Sequence, residues 1–244
     1  MSVTLPPGRE VGALVVAKAP VPGRSKTRLA RAVGADAAAA LQQAMLLDTL
    51  DCCRAEVSGT GVLVEDPADV AAVRALVPAG TSISVQRGRG LADALRSGAA
   101  AALAERGPVA LVASDLPGLP PGALAAAFER LRAGIDVVIG PGFDGGYWLI
   151  ALGAAHTAPF RDIPWSTRDV LETTLARCRE ASLAVALAEP WRDLDTLEDL
   201  EALAREAETL PGKRTAGLLS MYAGSPMSFA SNPRPTDSEE VPAR

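Results

Sequence analysis

Val11–Ala17 reads VGALVVA, and Lys18–Leu29 directly after it reads KAPVPGRSKTRL. The first stretch is continuously apolar and β-branched, the composition of a strand buried on both faces of a parallel sheet. The second gathers Lys18, Arg24, Lys26 and Arg28 with Pro20, Pro22 and Gly23, ahead of a helical stretch from about Ala35 to Val57. In that stretch Leu46, Leu50, Cys53 and Val57 share one face, and Gln42 and Gln43 lie on another. A buried strand, a stiff basic loop and a long helix form the first half of a β–α unit.

The pattern repeats outward. Strands are expected at Thr60–Glu65, Ser82–Gln86, Val109–Ala113, Asp136–Gly140 and Leu183–Ala188. Helices are expected at Ala68–Leu76, Leu91–Glu105, Gly122–Arg132, Arg168–Glu180 and Thr196–Ala207. Such alternation predicts an α/β fold, with a mostly parallel central sheet, right-handed crossovers and helices on both faces. Tyr147–Leu152 follows the tight-turn signal Asp144-Gly145-Gly146 and is expected to be one antiparallel strand. Residues 1–10 read as an extension, 11–210 as one domain, and 211–244, aperiodic and rich in Pro, Ser, Gly and Asn, as a disordered tail. No internal repeat is visible.

Composition narrows the function. With 48% hydrophobic and 22% charged residues in 244, the chain is a folded globular protein with a full core. A net charge of −5 argues against a nucleic-acid surface, which depends on many cations neutralising phosphates. No secretory signal and no apolar run long enough to span a bilayer is present. Cys52, Cys53 and Cys178 lack metal spacing, and His156 is the only histidine, so a structural zinc site is not expected. An odd number of cysteines suits a reducing, cytoplasmic setting.

Four loops carry candidate chemistry. In the first, Lys26 and Arg28, with Lys18 and Gly23, precede a helix whose free N–H groups favour an anion, so polyphosphate is the natural guest. A P-loop is excluded, because Ser25 precedes Lys26 and Pro20 stands where the first glycine belongs. A solvated basic turn is the structural alternative. Second, Ser114-Asp115-Leu116-Pro117 follows a buried strand, where open α/β sheets bind ligands. An ionised Asp115 there offers hard oxygen to Mg²⁺ or Mn²⁺, although an Asx-turn before Pro117 would also account for it. Third, Asp193-Leu194-Asp195-Thr196 could add carboxylates to the same ion. Asp195 with Glu198, or Thr196 with Asp199, equally forms a capping box. Fourth, Gly140–Trp148 (GPGFDGGYW) could place Asp144, Gly145 and Gly146 at a sugar or acceptor, or simply turn a hairpin. Gly88-Arg89-Gly90-Leu91 is a weaker glycine-rich approach to a helix, bordering a base pocket. Convergence decides among these readings. In a parallel sheet these loops open at one carboxyl edge, and Asp195 joins them if the last strand is parallel too.

The motifs Lys18–Leu29, Ser114–Pro117, Gly140–Leu152, Asp162–Thr167 (DIPWST) and Asp193–Leu200 (DLDTLEDL) occur in an order that resembles the rSAM/selenodomain-associated transferase family, glycosyltransferase-like with a GT-A fold. The chain is more distantly similar to 2-phospho-L-lactate guanylyltransferases and molybdenum-cofactor nucleotidyltransferases. The resemblance spans about Val11 to Leu203. It implies a Rossmann-like nucleotide-diphospho-sugar transferase fold, with Lys26 and Arg28 on phosphates and Asp115 and Asp195, with Asp193, on a metal. It leaves Asp144, Gly145 and Gly146 near the acceptor or sugar. Many family members carry Gly-Glu-Arg where Ala92-Asp93-Ala94 stands here, so base and acceptor remain open. Metal-dependent nucleotidyl transfer from an NTP to a small phosphorylated or hydroxyl acceptor is the leading expectation. Glycosyl transfer from an NDP-sugar and a non-catalytic nucleotide-binding module are the alternatives. The oligomeric state stays open.

Overall fold

The structure, a computed structural model, describes residues 12–222. The expectations for residues 1–10 and 223–244 lie outside the described residues. Seven strands form one sheet: β1 Gly12–Ala17, β2 Gly59–Val64, β3 Ser82–Val85, β4 Val109–Ala113, β5 Val137–Pro141, β6 Tyr147–Leu152 and β7 Val185–Leu187, in the order β3-β2-β1-β4-β6-β5-β7. β1 is parallel to β2 and β4, β2 to β3, and β5 to β7. β6 is antiparallel to both β4 and β5. The expected reversed strand is therefore β6, and the last strand is parallel to its neighbour.

The helices are α1 Thr27–Val33, α2 Ala35–Glu56, α3 Val70–Leu76, α4 Gly90–Arg106, α5 Ala123–Arg132, α6 Val170–Glu180, α7 Leu197–Arg205 and α8 Lys213–Leu219. Alternate residues of each central strand feed opposite cores. Ala13, Val15, Ala110 and Val112 pack with Leu46, Leu50 and Cys53 of α2 and with Phe128 of α5. Leu14 and Leu111 pack with Leu95 of α4 and Cys178 of α6. This two-sided burial is why GALVVA (Gly12–Ala17) shows no polar alternation. The helices lie on both faces, as the alternation predicted.

Two differences concern short helices. The basic loop ends in α1, separated from α2 by Gly34 at φ 89. The tail does not begin at Pro211, because α8 follows it, with Leu219 fully buried. Seven residues are too few to display a helical period, and this helix is held by contacts distant in sequence. Leu29, Leu41, Met45, Leu194, Leu200, Leu203, Leu210 and Leu219 make a third apolar cluster beside the main core, joining α1, α2, α7 and α8.

α2 also organises the chain after β4. At its end, Glu56 accepts hydrogen bonds from Gly122 N (2.8 Å), Leu124 N (2.9 Å) and Ala125 N (3.1 Å), so a distant carboxylate caps α5. Free N–H groups and the helix dipole both favour an anion there. Glu56→Ala should cost roughly 1–2 kcal/mol, typical of a lost helix cap. For a domain of this size that is a fall in Tm of about 2–8 °C. An unchanged melting temperature in the purified variant would contradict the capping role.

Candidate active site

Because only β6 runs backwards, the loops after β1, β2, β3, β4, β5 and β7 and the start of β6 all meet at one edge of the sheet. A cavity of about 700 Å³ opens there, lined among others by Lys18, Lys26, Arg28, Gln42, Gly90, Ser114, Asp115 and Asp195. At its floor the Lys26 ammonium lies 3.0 Å from Asp115 Oδ2 and 3.2 Å from Asp195 Oδ1. Arg28 Nη1 donates to Asp195 Oδ2 at 3.1 Å. The three elements come from positions 89 and 169 residues apart.

Local packing explains how these side chains meet. Lys26 sits immediately before α1 in a left-handed backbone conformation, φ 49 and ψ 45. A non-glycine residue holds that conformation at a cost of about 1–3 kcal/mol, so its surroundings must impose it. Leu29, three residues later, is fully buried in the third apolar cluster, and so is Leu194, between Asp193 and Asp195. One cluster therefore anchors both the cationic and the acidic loop. Leu194 N donates to the Asp115 carbonyl at 3.0 Å, which ties the two carboxylate loops together. Thr196, not Asp195, caps α7, in a reciprocal box with Asp199. That frees the Asp195 carboxylate to face Lys26.

The site is charge-rich and partly dry. The Lys26 side chain is 5% exposed, against 32% for Asp115 and 34% for Asp195. Burial, the largest single influence, favours loss of its proton. Asp115 and Asp195, the hydrogen bond to Asp115 and then Asp193 together outweigh it and hold the Lys26 pKa above the usual lysine value. Asp193 behaves oppositely. Burial first, then Asp115 and Asp144, push its carboxyl up to about 7, with Lys26 opposing. Asp115 and Asp144 thus act on Asp193, while Asp115, Asp195 and Asp193 all act on Lys26.

Among the described residues no three His, Cys, Asp or Glu side chains converge closely enough to hold an ion by themselves. Two hard carboxylates do converge on a single cationic point, the Lys26 ammonium. That donor set fits a divalent ion of the Mg²⁺ type, which commonly takes one or two carboxylates with water and substrate phosphate, and not an all-protein cage.

The remaining expected residues are placed unevenly. Lys18 lines the cavity and pairs with Glu65 at 3.3 Å, both largely exposed. Gly90 borders the cavity at the start of α4, while Gly23 is exposed outside its lining. Ser114 is buried, its Oγ accepting from Gln42 Nε2 at 3.3 Å. Asp144, Gly145 and Gly146 do not line the cavity. Asp144 accepts from Gly146 N at 2.8 Å, and Gly142 N donates to Gly146 O, so these residues turn the β5–β6 hairpin. A side chain at Gly145, φ 90, would collide with the Arg168 backbone, so the turn packs closely against that segment. Of the three, only Asp144 acts on the acidic group.

Sequence reading missed Gln42, Glu65, Gln86 and Tyr147 as cavity-lining residues; Trp165 lines the cavity too. Gln42 is buried, although its polar amide placed it off the apolar face of α2. Trp165, from the DIPWST motif, packs edge-on against Tyr147 at 6.2 Å between ring centres. It anchors the cavity wall, while the Thr167 hydroxyl donates to Pro164 O and accepts from Asp169 N at 3.3 Å, just ahead of α6. His156 follows β6 and so belongs to the opposite edge of the sheet.

The arrangement has relatives. Residues 49–167 match a family described as an uncharacterized protein conserved in bacteria (DUF2064). The chain is 34% identical over 191 residues to the phosphoenolpyruvate guanylyltransferase of Geodermatophilus obscurus, covering 75% of this chain and 80% of that protein. A solved structure from Desulfovibrio desulfuricans G20, assigned as a nucleotide-diphospho-sugar transferase, superposes with a TM-score of 0.81 at 30% identity, over 87% of this chain and 95% of that one. The inositol-1-phosphate CTP transferase of T. maritima shares the fold at a TM-score of 0.54 and 15% identity, over 87% of this chain and 96% of that one. The expected nucleotide-diphospho-sugar transferase fold is the observed one. No helix among the described residues is long and apolar enough to cross a membrane.

The Asp193 carboxyl gives a pH signature. An acid whose pKa rises from 3.8 in the open chain to about 7 in the fold binds its proton more tightly when folded. It therefore destabilises the fold increasingly as pH rises from about 4 to about 7, and to a constant degree above that. Without divalent cations, Asp193→Asn should melt a few degrees above the parent protein at pH 8. The gap should close as pH falls toward 4. Melting curves that show no gap at pH 8, or one independent of pH, would remove the excess of buried negative charge from the account.

Proposed function

The chain belongs to the transferase family that includes the phosphoenolpyruvate guanylyltransferase of Geodermatophilus obscurus, and we propose that it transfers a nucleotidyl group from an NTP to a small phosphorylated or hydroxyl acceptor, releasing pyrophosphate. The observation that carries this reading is the contact of Lys26 with both Asp115 and Asp195 at the floor of the edge cavity. GTP is the first donor to test, given the activity of that relative. About 700 Å³ also falls within the roughly 300–1,000 Å³ typical of small-ligand sites.

In this reading Lys26 and Arg28 neutralise charge gathering on the departing pyrophosphate, the moment at which fixed cations accelerate phosphoryl chemistry most. Asp115 and Asp195 would hold Mg²⁺ or Mn²⁺, with Asp193 close by as a further carboxyl group. A bound divalent ion would polarise phosphate oxygens and orient in-line attack. The pairing of Asp195 with both Lys26 and Arg28 sets the spacing of the two cations before nucleotide arrives. Gln42, through Ser114, holds the backbone ahead of Asp115. The far end of the cavity, with Glu65, Gln86, Gly88 and Gly90, is left for the nucleoside. No protein nucleophile is needed, and the raised pKa values of Cys52, Cys53 and Cys178 suit unreactive thiols.

Glycosyl transfer from an NDP-sugar is the second reading, favoured by the assignment of the Desulfovibrio desulfuricans structure. Purified protein incubated with NTPs and sugar phosphates or small phosphorylated acids, and separately with NDP-sugars, separates the two. Pyrophosphate formed only with acceptor and divalent ion supports nucleotidyl transfer; free NDP without pyrophosphate supports glycosyl transfer. Asp115→Asn should lower turnover on the order of 10²-fold while the protein stays folded. Lys26→Ala should weaken nucleotide binding by about tenfold or more, as expected for a charge-assisted contact. Normal turnover in the first variant, or normal affinity in the second, would take that residue out of the site.

A further inference from the structure

Asp48, on α2, is a carboxylate with a side chain only 3% exposed that the active-site reading leaves unused. Its oxygens accept from Arg214 N at 3.3 Å, Arg214 Nη1 at 3.0 Å and Thr215 N at 2.8 Å, the first groups of α8. A buried charge with these partners is hard to remove, because each lost donor leaves it less compensated. Held there, α8 presses the residue before it, Gly212, against the Asp115 loop. Gly212 N donates to Pro117 O at 3.0 Å. A side chain at Gly118, φ 87, would meet the Gly212 backbone. One at Gly212 would come within 2.7 Å of both Pro117 O and Asp48 Oδ2.

The loop is fastened at successive carbonyls from separate parts of the chain. Ser114 O accepts from Gln42, Asp115 O from Leu194 N, Pro117 O from Gly212 N, and Gly118 O from Trp191 Nε1. Leu119 N donates to Cys52 Sγ, again on α2. The Gly212 contact is the one supplied by the C-terminal helix, and Asp48 is what fixes that helix. Nothing in Lys213–Leu219 lines the cavity.

We propose that Asp48 is a positioning residue for Asp115, acting through the start of α8 and Gly212 on the Pro117 carbonyl, so that the C-terminal helix is part of the frame of the active site. This rests on the reading of Asp115 as a metal-holding carboxylate. A displaced Asp115 would alter how the ion joins carboxylate to phosphate, while Lys26 and Arg28, placed by α1, would still meet the nucleotide.

The test measures GTP affinity of the full chain by calorimetry, with and without Mn²⁺. The parent protein should bind more tightly with the ion. In Asp48→Asn the gain from Mn²⁺ should shrink about tenfold, while affinity without it stays within about twofold. That split is one a general loss of stability would not produce. Asp51→Asn is the control, since Asp51 is half exposed and meets α8 through Arg214 Nη1 at 2.7 Å, without the bonds to the Arg214 and Thr215 backbone that Asp48 makes. Its exposed pair should contribute little, so it should leave both affinities unchanged. If Asp48→Asn does not fold, Gly212→Ala displaces the same contact with Asp48 intact and is read in the same way. An unchanged gain from Mn²⁺ in a folded variant, or equal losses with and without the ion, would overturn the positioning role. A parent protein that binds GTP equally well without Mn²⁺ would instead remove the metal reading on which it rests.

Discussion

A lysine ammonium buried between two carboxylates holds together the side chains of three distant parts of the chain, whose loops Leu194 also joins. Lys26 reaches Asp115 from the end of β4 and Asp195 from the start of α7. Burial works against its proton, and Asp115, Asp195 and Asp193 together outweigh that. Each partner therefore depends on the others. Without the ammonium, Asp115, Asp193 and Asp195 are left as neighbouring negative charges, and without the carboxylates Lys26 is an unpaired charge in a dry site. Such mutual dependence demands precise backbone placement, and the rest of the fold supplies it. Parallel strands bring the loops to one edge, and the apolar cluster around Leu29 and Leu194 sets the height of each loop above it.

Much of this was legible in the sequence because the relevant signals are local. A strand buried on both faces announces itself by an unbroken apolar run, and strand direction follows from β–α alternation. The reversal of β6 was readable from Asp144-Gly145-Gly146, since that turn chemistry suits a hairpin. The carboxylates Asp115 and Asp195 stood out because each follows a strand on the same side of a parallel sheet. What was not legible depends on partners distant in the chain. α8 has no periodicity of its own and exists through Asp48, 167 residues before Thr215. Gln42 looks like a solvated helix residue until β4 is known to end beside it. Asp144, Gly145 and Gly146 were read as ligand-facing, yet the hairpin uses their polar groups itself and Arg168 packs against the turn.

α2 links these two kinds of information. Its apolar face packs on the sheet, as its spacing indicates, while a second line of residues follows the segment after β4. Gln42 meets Ser114, Asp48 acts through Gly212 on Pro117, Cys52 meets Leu119, and Glu56 caps α5. These contacts step along the helix as the segment runs beside it, so one rigid rod sets the path of the loop that carries Asp115. A rod buried in the core moves less than a loop at the surface, which is what a carboxylate needs if it must hold a fixed position relative to Lys26.

The charge pattern constrains what the site can accept. The basic loop after β1 does not present free cations: Lys18 pairs with Glu65, Arg24 with Asp66 and Asp69, Lys26 with Asp115 and Asp195, and Arg28 with Asp195. A bare polyphosphate would have to displace carboxylates from these partners and then lie beside them, and like charges at such distances repel strongly where water is scarce. On the reading proposed for the site, a divalent cation bound with the phosphates would remove that conflict by serving as counter-ion to Asp115 and Asp195, and Lys26 and Arg28 would then be free to turn toward phosphate oxygen. The same ion would also offset charge around Asp193, whose carboxyl is pushed up first by burial and then by Asp115 and Asp144, with Lys26 alone among the cations opposing. If the proposed reading holds, a site whose cations and carboxylates neutralise one another would favour joint binding of metal and phosphate over either alone.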